Sequence, residues 1–237
     1  MLFLAVFCGF MAEYQLEHKI ERDRVKKYMH DMVQNLKYDT TRVTVNLPSN
    51  RETRKDLYSF RFEIKKAIAG EANTNRLYFY SLKINEFSQA VFNKSAITQL
   101  KNSGQLRLVK NDSLVNEILD YYERKVYAAE MYENEAHKAF NDFTAGLNNV
   151  FTTTSFDFVT SLSDSNYTEQ IVEDYKSSVG AVLNGPSLQL LTSDKVSLEK
   201  LHTAVIRFEA ALVNYNRFLN FCREGAKKLI VHIEDVY

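Results

Sequence analysis

The segment from Leu198 to Ile233 carries the pattern that most restricts the fold. Eleven mostly apolar residues alternate there at spacings of three and four: Leu198, Leu201, Val205, Phe208, Leu212, Tyr215, Leu219, Cys222, Ala226, Leu229 and Ile233. This repeat places them on one stripe of a helix and is typical of coiled-coil-like packing. The stripe packs either on the chain's own helices or on a second copy. We favour the chain's own helices, because three other amphipathic segments also need partners.

The segment from Leu2 to Leu47 is a second long predicted helix. It opens with an uncharged run, continues through a charged stretch at 13–27 and contains no proline before Pro48. Its second half carries a stripe at spacings of three and four: Val25, Met29, Met32, Leu36, Thr40, Val43 and Leu47. We therefore predict one helix at 2–47 that packs one face on partners and ends at Pro48.

The uncharged run at 1–12 is too short to cross a bilayer alone, because a spanning helix needs about 20 apolar residues. Three interpretations are open: part of a membrane helix, the buried end of an ordinary helix, and a signal or lipid anchor. We favour a partial membrane anchor formed by Leu2, Phe3, Leu4, Val6, Phe7, Phe10 and Met11. The expected partner of this segment is the lipid bilayer.

The residues behind the run indicate an orientation. Five Lys or Arg residues lie between 13 and 27. Under the positive-inside rule, such a cluster favours a cytoplasmic soluble part. Residues 13–237 are expected to form a single helical-bundle domain with a stalk next to the membrane.

Turn-forming residues are rare, with 7 glycines and 2 prolines in 237 residues. This favours a few long helices over many strands. We predict an all-α fold: an elongated bundle with three long helices at about 2–47, 112–150 and 194–235. Shorter helices are expected at about 50–69, 74–93, 95–103 and 167–183. Lys+Arg 30 balances Asp+Glu 30, and the net charge of zero argues against a nucleic-acid partner.

Local signals mark several helix ends. Ser49 and Glu52 form a capping box for the helix after Pro48. Ser95 is expected to cap the next short helix, and Asn111 and Asp112 both offer a cap for the helix that follows it.

Two connections are also predicted. Residues 105–110 alternate as an extended corner would. Residues 152–165 are expected to form a crossing loop fixed by Phe156 and Phe158, and Gly185 with Pro186 closes the helix at 167–183.

Residues 100–122 read LKNSGQLRLVKNDSLVNEILDYY, and the segment VFCGFMAEYQLEHKIERDRVKKY lies near the amino end. Both resemble a family of uncharacterised bacterial proteins classed only as a domain of unknown function. In that family a Leu-Lys-x-Ser-Gly-x-Leu-Arg-Leu corner leads into a helix that ends in a Tyr-Tyr pair. The matches cover about 45 residues, and the start of the family's membrane helix is expected to be missing here. The resemblance implies a single-pass membrane-anchored helical protein and no known activity, ligand or catalytic residue.

Patterns for catalysis and metal binding are scarce. Glu199 and His202 have the Glu-x-x-His spacing of di-iron bundles, but no second such pair occurs. Glu133 and His137 lie one helical turn apart, which an exposed contact explains equally well. The glycines are too scattered for a phosphate-binding loop, and no Gly-x-Ser-x-Gly elbow is present. We predict no catalysis, no cofactor and no metal site.

The two cysteines have apolar sequence surroundings. Cys8 lies in the uncharged run and Cys222 on the stripe of the last helix. Neither a disulfide framework, a zinc site nor a reactive thiolate is predicted.

One polar corner is a candidate anion site. Ser103 and Gly104 form the corner, and Arg107 and Lys110 follow it just before the next helix begins. Because the amino end of a helix attracts anions, these four residues are candidate anion ligands. The alternative is a solvated corner that only fixes helix geometry.

Aromatic runs at 77–80 and 120–122 admit two interpretations. They can line a ligand pocket or stack bases, but their helical spacing favours core packing.

These patterns favour a membrane-tethered interaction or scaffold module without catalysis. The alternative is a membrane-anchored helical bundle that senses a ligand. A protein partner or self-association is open in both cases. A sensor predicts a closed pocket with convergent polar groups, whereas a scaffold predicts a solid core and an exposed apolar groove.

Overall fold

The computed structural model describes residues 2–84, 86–155 and 180–237. Its helices are α1 (Leu2–Ile68), α2 (Thr74–Lys83), α3 (Ser95–Asn102), α4 (Asp112–Leu119), α5 (Tyr127–Val150) and α6 (Lys195–Val236). Short 3-10 helices span Gln105–Leu108 and Val182–Asn184, and a π-helical segment spans Asp120–Val126. The described residues contain no strand, although an isolated β-bridge pairs Phe151 with Leu190. The predicted all-α helical bundle is confirmed.

The chain divides into two compact units. Unit 1 comprises Met1–Val45, Ala90–Glu130 and Phe218–Tyr237, and unit 2 comprises Asn46–Gln89 and Met131–Arg217. Helices α1 and α6 therefore each have one segment in unit 1 and one segment in unit 2. The single domain expected at 13–237 stays a prediction.

Helix α6 follows the repeat that predicted it. Every residue of that stripe, from Leu198 to Ile233, is at most 2% exposed. At the amino end, the Asp194 carboxylate accepts hydrogen bonds from the backbone N–H groups of Val196 and Ser197, both at 3.0 Å. Because the chain's own residues bury the stripe, the prediction that it packs within the chain is confirmed.

Helix α1 does not end at Pro48. It continues to Ile68, so the predicted break and the capping box of Ser49 and Glu52 are wrong. Pro48 lies on an exposed face, where water can bond the carbonyl that lacks its partner. The buried stripe also stays in phase across it, because Leu47 and Asn50 are buried before and after the proline. Packing of that stripe outweighs the local cost of proline.

The structure also corrects the predicted membrane anchor at the start of α1. Among the described residues, no helix combines the length and the apolar character needed to cross a membrane. Charged residues recur in α1 from Glu13 onward, so the apolar run ends after about three helical turns. The prediction is therefore wrong for the anchor residues Leu2, Phe3, Leu4, Val6, Phe7, Phe10 and Met11. The lipid partner and the membrane localisation are wrong with it.

The helix predicted at 74–93 ends ten residues early. Helix α2 stops at Lys83, and no helix covers the described residues between it and α3. The side chain of Asn50 on α1 hydrogen-bonds to backbone groups of this segment. The Ser88 N–H donates to Asn50 Oδ1 at 2.7 Å, and Asn50 Nδ2 donates to the Ser88 carbonyl at 3.0 Å. Ile84 is buried, whereas Val91 is exposed.

The corner after α3 is a 3-10 turn and not an extended stretch. Gly104 has φ +66°, a left-handed conformation that glycine adopts without strain. Residues 105–108 then form the 3-10 helix.

The two later caps have different outcomes. Asn111 caps α4 as predicted, because its Oδ1 accepts from the Ser113 N–H at 2.9 Å. Ser95 does not cap α3. The side chain of Asn93 instead accepts from the Ser95 N–H at 3.0 Å.

The helix predicted at 112–150 has the observed ends, but its middle differs. Residues 120–126 adopt π-helical geometry between α4 and α5. The wider π turn lets Tyr121 and Tyr122 both face inward, and both are buried. Phe156, Phe158 and most of the helix predicted at 167–183 lie outside the described residues.

Leu212 tests the packing of α6. Because it is fully buried, Leu212→Ala is expected to lower the free energy of unfolding by about 2–5 kcal/mol. Urea denaturation followed by circular dichroism measures this. The neighbouring Val213 is 38% exposed, so Val213→Ala should cost less than about 1 kcal/mol. An equally small loss for Leu212→Ala would show that the stripe faces solvent.

Pro48 tests the continuity of α1. Pro48→Ala is expected to raise the free energy of unfolding by about 1–3 kcal/mol, because alanine restores a backbone donor inside a helix. Thermal and urea denaturation measure the gain. Val45 is also exposed on α1, and Val45→Ala controls for helix propensity alone with a change below about 0.5 kcal/mol. Destabilisation by Pro48→Ala would mean that the helix is broken there in solution.

Candidate interaction site

Six of the large apolar side chains exposed on the amino-terminal part of α1 lie along one side of the helix, which we call the N-terminal apolar face. They are Phe3, Leu4, Phe7, Phe10, Met11 and Tyr14, and they are 47–83% exposed. Single exposed apolar residues are ordinary on protein surfaces, but a contiguous apolar patch marks an interaction site. This face is an exposed apolar surface on one side of a helix, and the exposed apolar groove expected of a scaffold stays a prediction.

The N-terminal apolar face continues the buried stripe of α1. Phe7, Met11, Tyr14 and His18 follow one another at spacings of four, three and four, and Val25 follows His18 after two turns. Val25 begins the stripe that unit 1 buries. The same face of one helix is thus buried from Val25 onward and uncovered before it.

At the predicted corner site, the amino end of the following helix, α4, already has a hydrogen-bond acceptor. The Ser103 hydroxyl donates to the Leu100 carbonyl at 3.2 Å, and Arg107 and Lys110 are exposed. Asn111 Oδ1 accepts from the N–H groups of Ser113 and Leu114, the second and third residues of α4, so this end has its own acceptor. An anion site at these residues stays a prediction.

Lys110 and α1 line a shared open cleft in unit 1. The cleft has a volume of about 670 Å³, and its lining includes His18, Lys19, Arg22 and Lys110. His18 lies 3.6 Å from the Glu21 carboxylate, and Arg22 Nε donates to the His18 carbonyl at 3.1 Å. Arg107 does not line this cleft.

The sequence did not single out Asp39, a buried carboxylate of unit 1. The Asn93 N–H donates to both of its oxygens, at 3.0 and 3.2 Å. Burial raises the pKa of Asp39 to about 6, against the opposing effects of that hydrogen bond and of Arg42. The sequence did contain a signal for its burial. Asp39 lies three residues after Leu36, at helical spacing, although the stripe was predicted to continue through Thr40.

Two buried hydroxyls belong to the π-helical segment. Tyr121 Oη and Tyr122 Oη have no hydrogen-bond partner within the described residues. Burial raises the pKa of both phenols, and the Asp39 charge raises them further. A Cβ at Gly225 would lie 3.0 Å from Lys125 Cδ, so glycine permits the close approach of α6 to this segment.

A histidine links α4 and α6 in unit 1. His232 Nδ1 lies 3.0 Å from Glu117 Oε2, and its Nε2 lies 3.4 Å from Asn111 Nδ2. Asn111 Oδ1 is already committed to capping, so its amide nitrogen must donate to Nε2. This assigns the proton of neutral His232 to Nδ1, where it bonds Glu117. Both nitrogens are occupied, so the arrangement is a structural link and not an open general base.

The two Glu–His pairs weighed from the sequence, Glu199 with His202 and Glu133 with His137, both lie in unit 2. Glu133 Oε2 accepts from the Tyr215 hydroxyl at 2.6 Å, and the His137 ring packs 4.8 Å from that of Phe87. Burial lowers the pKa of His202, and the positive charge of Lys65 lowers it further. The described residues contain no group of three His, Cys, Asp or Glu side chains placed to hold a metal ion.

The cysteines differ in exposure. Cys8 is exposed, whereas Cys222 is buried and its burial raises the pKa of the thiol to about 12. A thiol with that pKa is protonated at neutral pH, which makes Cys222 unreactive. The predicted core role of the aromatic runs holds for Tyr78, Tyr121 and Tyr122, all of which are buried.

A cleft of about 660 Å³ lies beside the π-helical segment and is open to solvent. Its charged lining residues are Glu117, Asp120, Arg124, Lys125, Glu224 and Lys228. Asp120 is already paired with both Arg124 and Lys125. Open walls with paired charges differ from the closed, polar pocket that a ligand sensor predicts.

Comparison with known proteins adds no relative. No family model, curated protein or solved structure matches the chain.

Asp39 makes stability depend on pH. Its folded-state pKa lies above the unfolded value, so the folded chain binds the extra proton and loses stability as pH rises toward 7. Relative to Asp39→Asn, the wild type should lose about 2–3 kcal/mol of unfolding free energy between pH 4 and 7. Urea denaturation at a series of pH values measures the difference. A difference that stays constant with pH would show that Asp39 titrates normally.

Proposed function

We propose that this protein is a helical interaction module that self-associates through the N-terminal apolar face of α1. The observation that supports it is the change in exposure along one face, from at least 47% at Met11 and its neighbours to 2% at Val25. From Val25 onward, the chain buries this face of α1 against its own residues. Before Val25 the same face is uncovered, so a further helix can pack on it. Burial of large apolar side chains supplies the driving force, at about 1.5–3 kcal/mol for each.

A second copy in parallel orientation fits the apolar positions. Parallel, in-register pairing places each seam residue against its own counterpart, so Phe7 meets Phe7 and Met11 meets Met11. The repeat at positions 4, 7, 11, 14 and 18 is the heptad pattern of a two-stranded coiled coil. Apolar residues then face apolar residues from Leu4 to Tyr14.

The flanking charges also favour the parallel orientation. In a parallel coiled coil, a residue at the last heptad position faces the residue five places later in the other strand. With Phe7 and Tyr14 in the seam, Glu17 of one copy faces Arg22 of the second copy, and the pair forms twice by symmetry. An antiparallel arrangement that overlaps the apolar residues leaves these charges outside the contact.

Catalysis has no supporting arrangement among the described residues, and the ligand-sensing alternative has no closed pocket to support it there. Both stay untested. The resemblance to a bacterial family of unknown function also stays a prediction.

Phe7→Glu tests the interaction. Sedimentation equilibrium of the full chain should show a reversible dimer whose dissociation constant rises about 100-fold or more in the variant, because each interface loses two apolar contacts and gains two carboxylates. Val45 is also an exposed apolar residue of α1 but lies off this face, so Val45→Glu should leave association unchanged. A monomeric wild type at high concentration, or equal effects of both variants, would refute self-association through this face.

A charge exchange tests the orientation. Glu17→Arg or Arg22→Glu alone places like charges opposite one another and should weaken the dimer about 3- to 10-fold. The double variant should restore wild-type association. Residues five apart on one helix do not face each other, so the rescue arises between copies. Dimers that show no rescue would be antiparallel.

A further inference from the structure

Unit 2 carries an exposed ridge on α1 in which cations and aromatic rings alternate. We call it the cation–aromatic ridge and define it by Arg51, Lys55, Tyr58, Phe62 and Lys65. These residues follow at spacings of four, three, four and three, so they lie along one face of the helix. Tyr58 and Phe62 are 59% and 55% exposed.

Two of the three carboxylates near the ridge are covered, and the third, Glu52, is exposed and lies 2.7 Å from Lys55 Nζ. Glu63 is almost fully buried and accepts from Arg76 Nε at 2.9 Å, and the Asp56 carboxylate, also largely covered, accepts from Lys83. The side chains of Arg76 and Lys83 remain 46% and 39% exposed. Two carboxylates are therefore covered while their positive partners on α2 stay partly exposed, and Arg51 and Lys65 add exposed positive charge on α1.

Cations already cover the aromatic faces. Arg61 lies 5.2 Å from the centre of the Tyr58 ring, and Lys66 lies 4.6 Å from the centre of the Phe62 ring. On α2, Lys83 stands 5.5 Å from the centre of the Phe79 ring. Such contacts hold each cation against a ring, and each cation also pairs with a carboxylate of unit 2: Arg61 with Glu209, Lys66 with Glu63 and Lys83 with Asp56.

We infer that the cation–aromatic ridge docks an acidic amphipathic helix of a partner protein. On such a helix, two carboxylates four residues apart match the spacing of Arg51 and Lys55, and a further carboxylate ten residues on matches Lys65. An apolar side chain of the partner would pack on the exposed edges of Tyr58 and Phe62. The complementarity of charge selects the partner, and the rings supply the apolar contact area.

A nucleic acid is the other polyanion to consider. Binding of single strands relies on bases that stack on open aromatic faces. Here one face of each ring carries a cation, Arg61 on Tyr58 and Lys66 on Phe62, which leaves less open ring surface for bases to stack on. The geometry therefore favours carboxylates on a protein over phosphates.

The test uses a synthetic amphipathic peptide with leucines on one face and glutamates on the other. Fluorescence anisotropy of the labelled peptide with the full chain should show saturable binding. Lys55→Glu and Phe62→Ala should each weaken it at least about 10-fold, since each removes one of the two kinds of contact. Binding should also weaken as salt is raised.

Matched controls separate a docking site from general charge. Lys138 also lies in unit 2, has an exposure of 72% against 71% for Lys55, and has the same i, i+3 pairing with a glutamate. Lys138→Glu should leave peptide binding unchanged. Tyr127 is an equally exposed aromatic residue outside the ridge, and Tyr127→Ala should have no effect.

Three outcomes would overturn the inference. These are no saturable binding to the wild type, an equal loss for Lys138→Glu and Lys55→Glu, and tighter binding of a single-stranded oligothymidylate than of the peptide. The last would make the ridge a nucleic-acid surface. Phe7→Glu should not change peptide binding, so this test is separate from that of self-association.

Discussion

Burial of long apolar stripes is the constraint on which the rest of this structure depends. The stripe of α6 is covered along its whole length, and that of α1 from Val25 to Ile64. A proline inside a helix costs about 3 kcal/mol, whereas each buried Leu, Ile or Phe contributes about 1.5–3 kcal/mol. Leu47, Leu57 and Phe60 together outweigh Pro48, so α1 keeps one register through a residue that normally ends a helix.

Buried polar side chains determine where the chain is not helical. A buried backbone N–H or carbonyl needs a partner, and outside a helix a side chain must supply it. Asn50 does so for Ser88 in unit 2. Asn75 does the same near Pro186, where its Nδ2 donates to the Gly185 carbonyl at 3.2 Å and its Oδ1 accepts from the Leu188 N–H at 2.9 Å. These asparagines lie on helices and specify the path of segments distant in sequence.

The two units present surfaces of different chemistry. Unit 1 carries the N-terminal apolar face, which suits a non-directional contact driven by burial. Unit 2 carries the cation–aromatic ridge, for which we inferred a partner selected by complementary charge. A module that pairs with its own copy through one surface and holds an acidic helix on the other would bring two such partners together. A protein that holds two partners in this way would act as a scaffold.

The sequence by itself determined the fold class, the position of α6 and the ends of the helical region at 112–150. These follow from local properties: the period of apolar residues, the shortage of glycine and the capping by Asn111. The N-terminal apolar run was also evident, but its interpretation as a membrane anchor was wrong.

Only the tertiary structure decided the helix continuing through Pro48, the loss of helix after Lys83 and the buried site of Asp39. Each depends on residues far apart in the chain. Ser88 leaves the helix because Asn50 bonds its backbone, and Asp39 is tolerated inside because the Asn93 N–H meets it. The cation–aromatic ridge likewise required α2 beside α1, since only that pairing buries Glu63 under Arg76. Periodicity shows which face of a helix is apolar, but which polar groups meet depends on how distant segments pack.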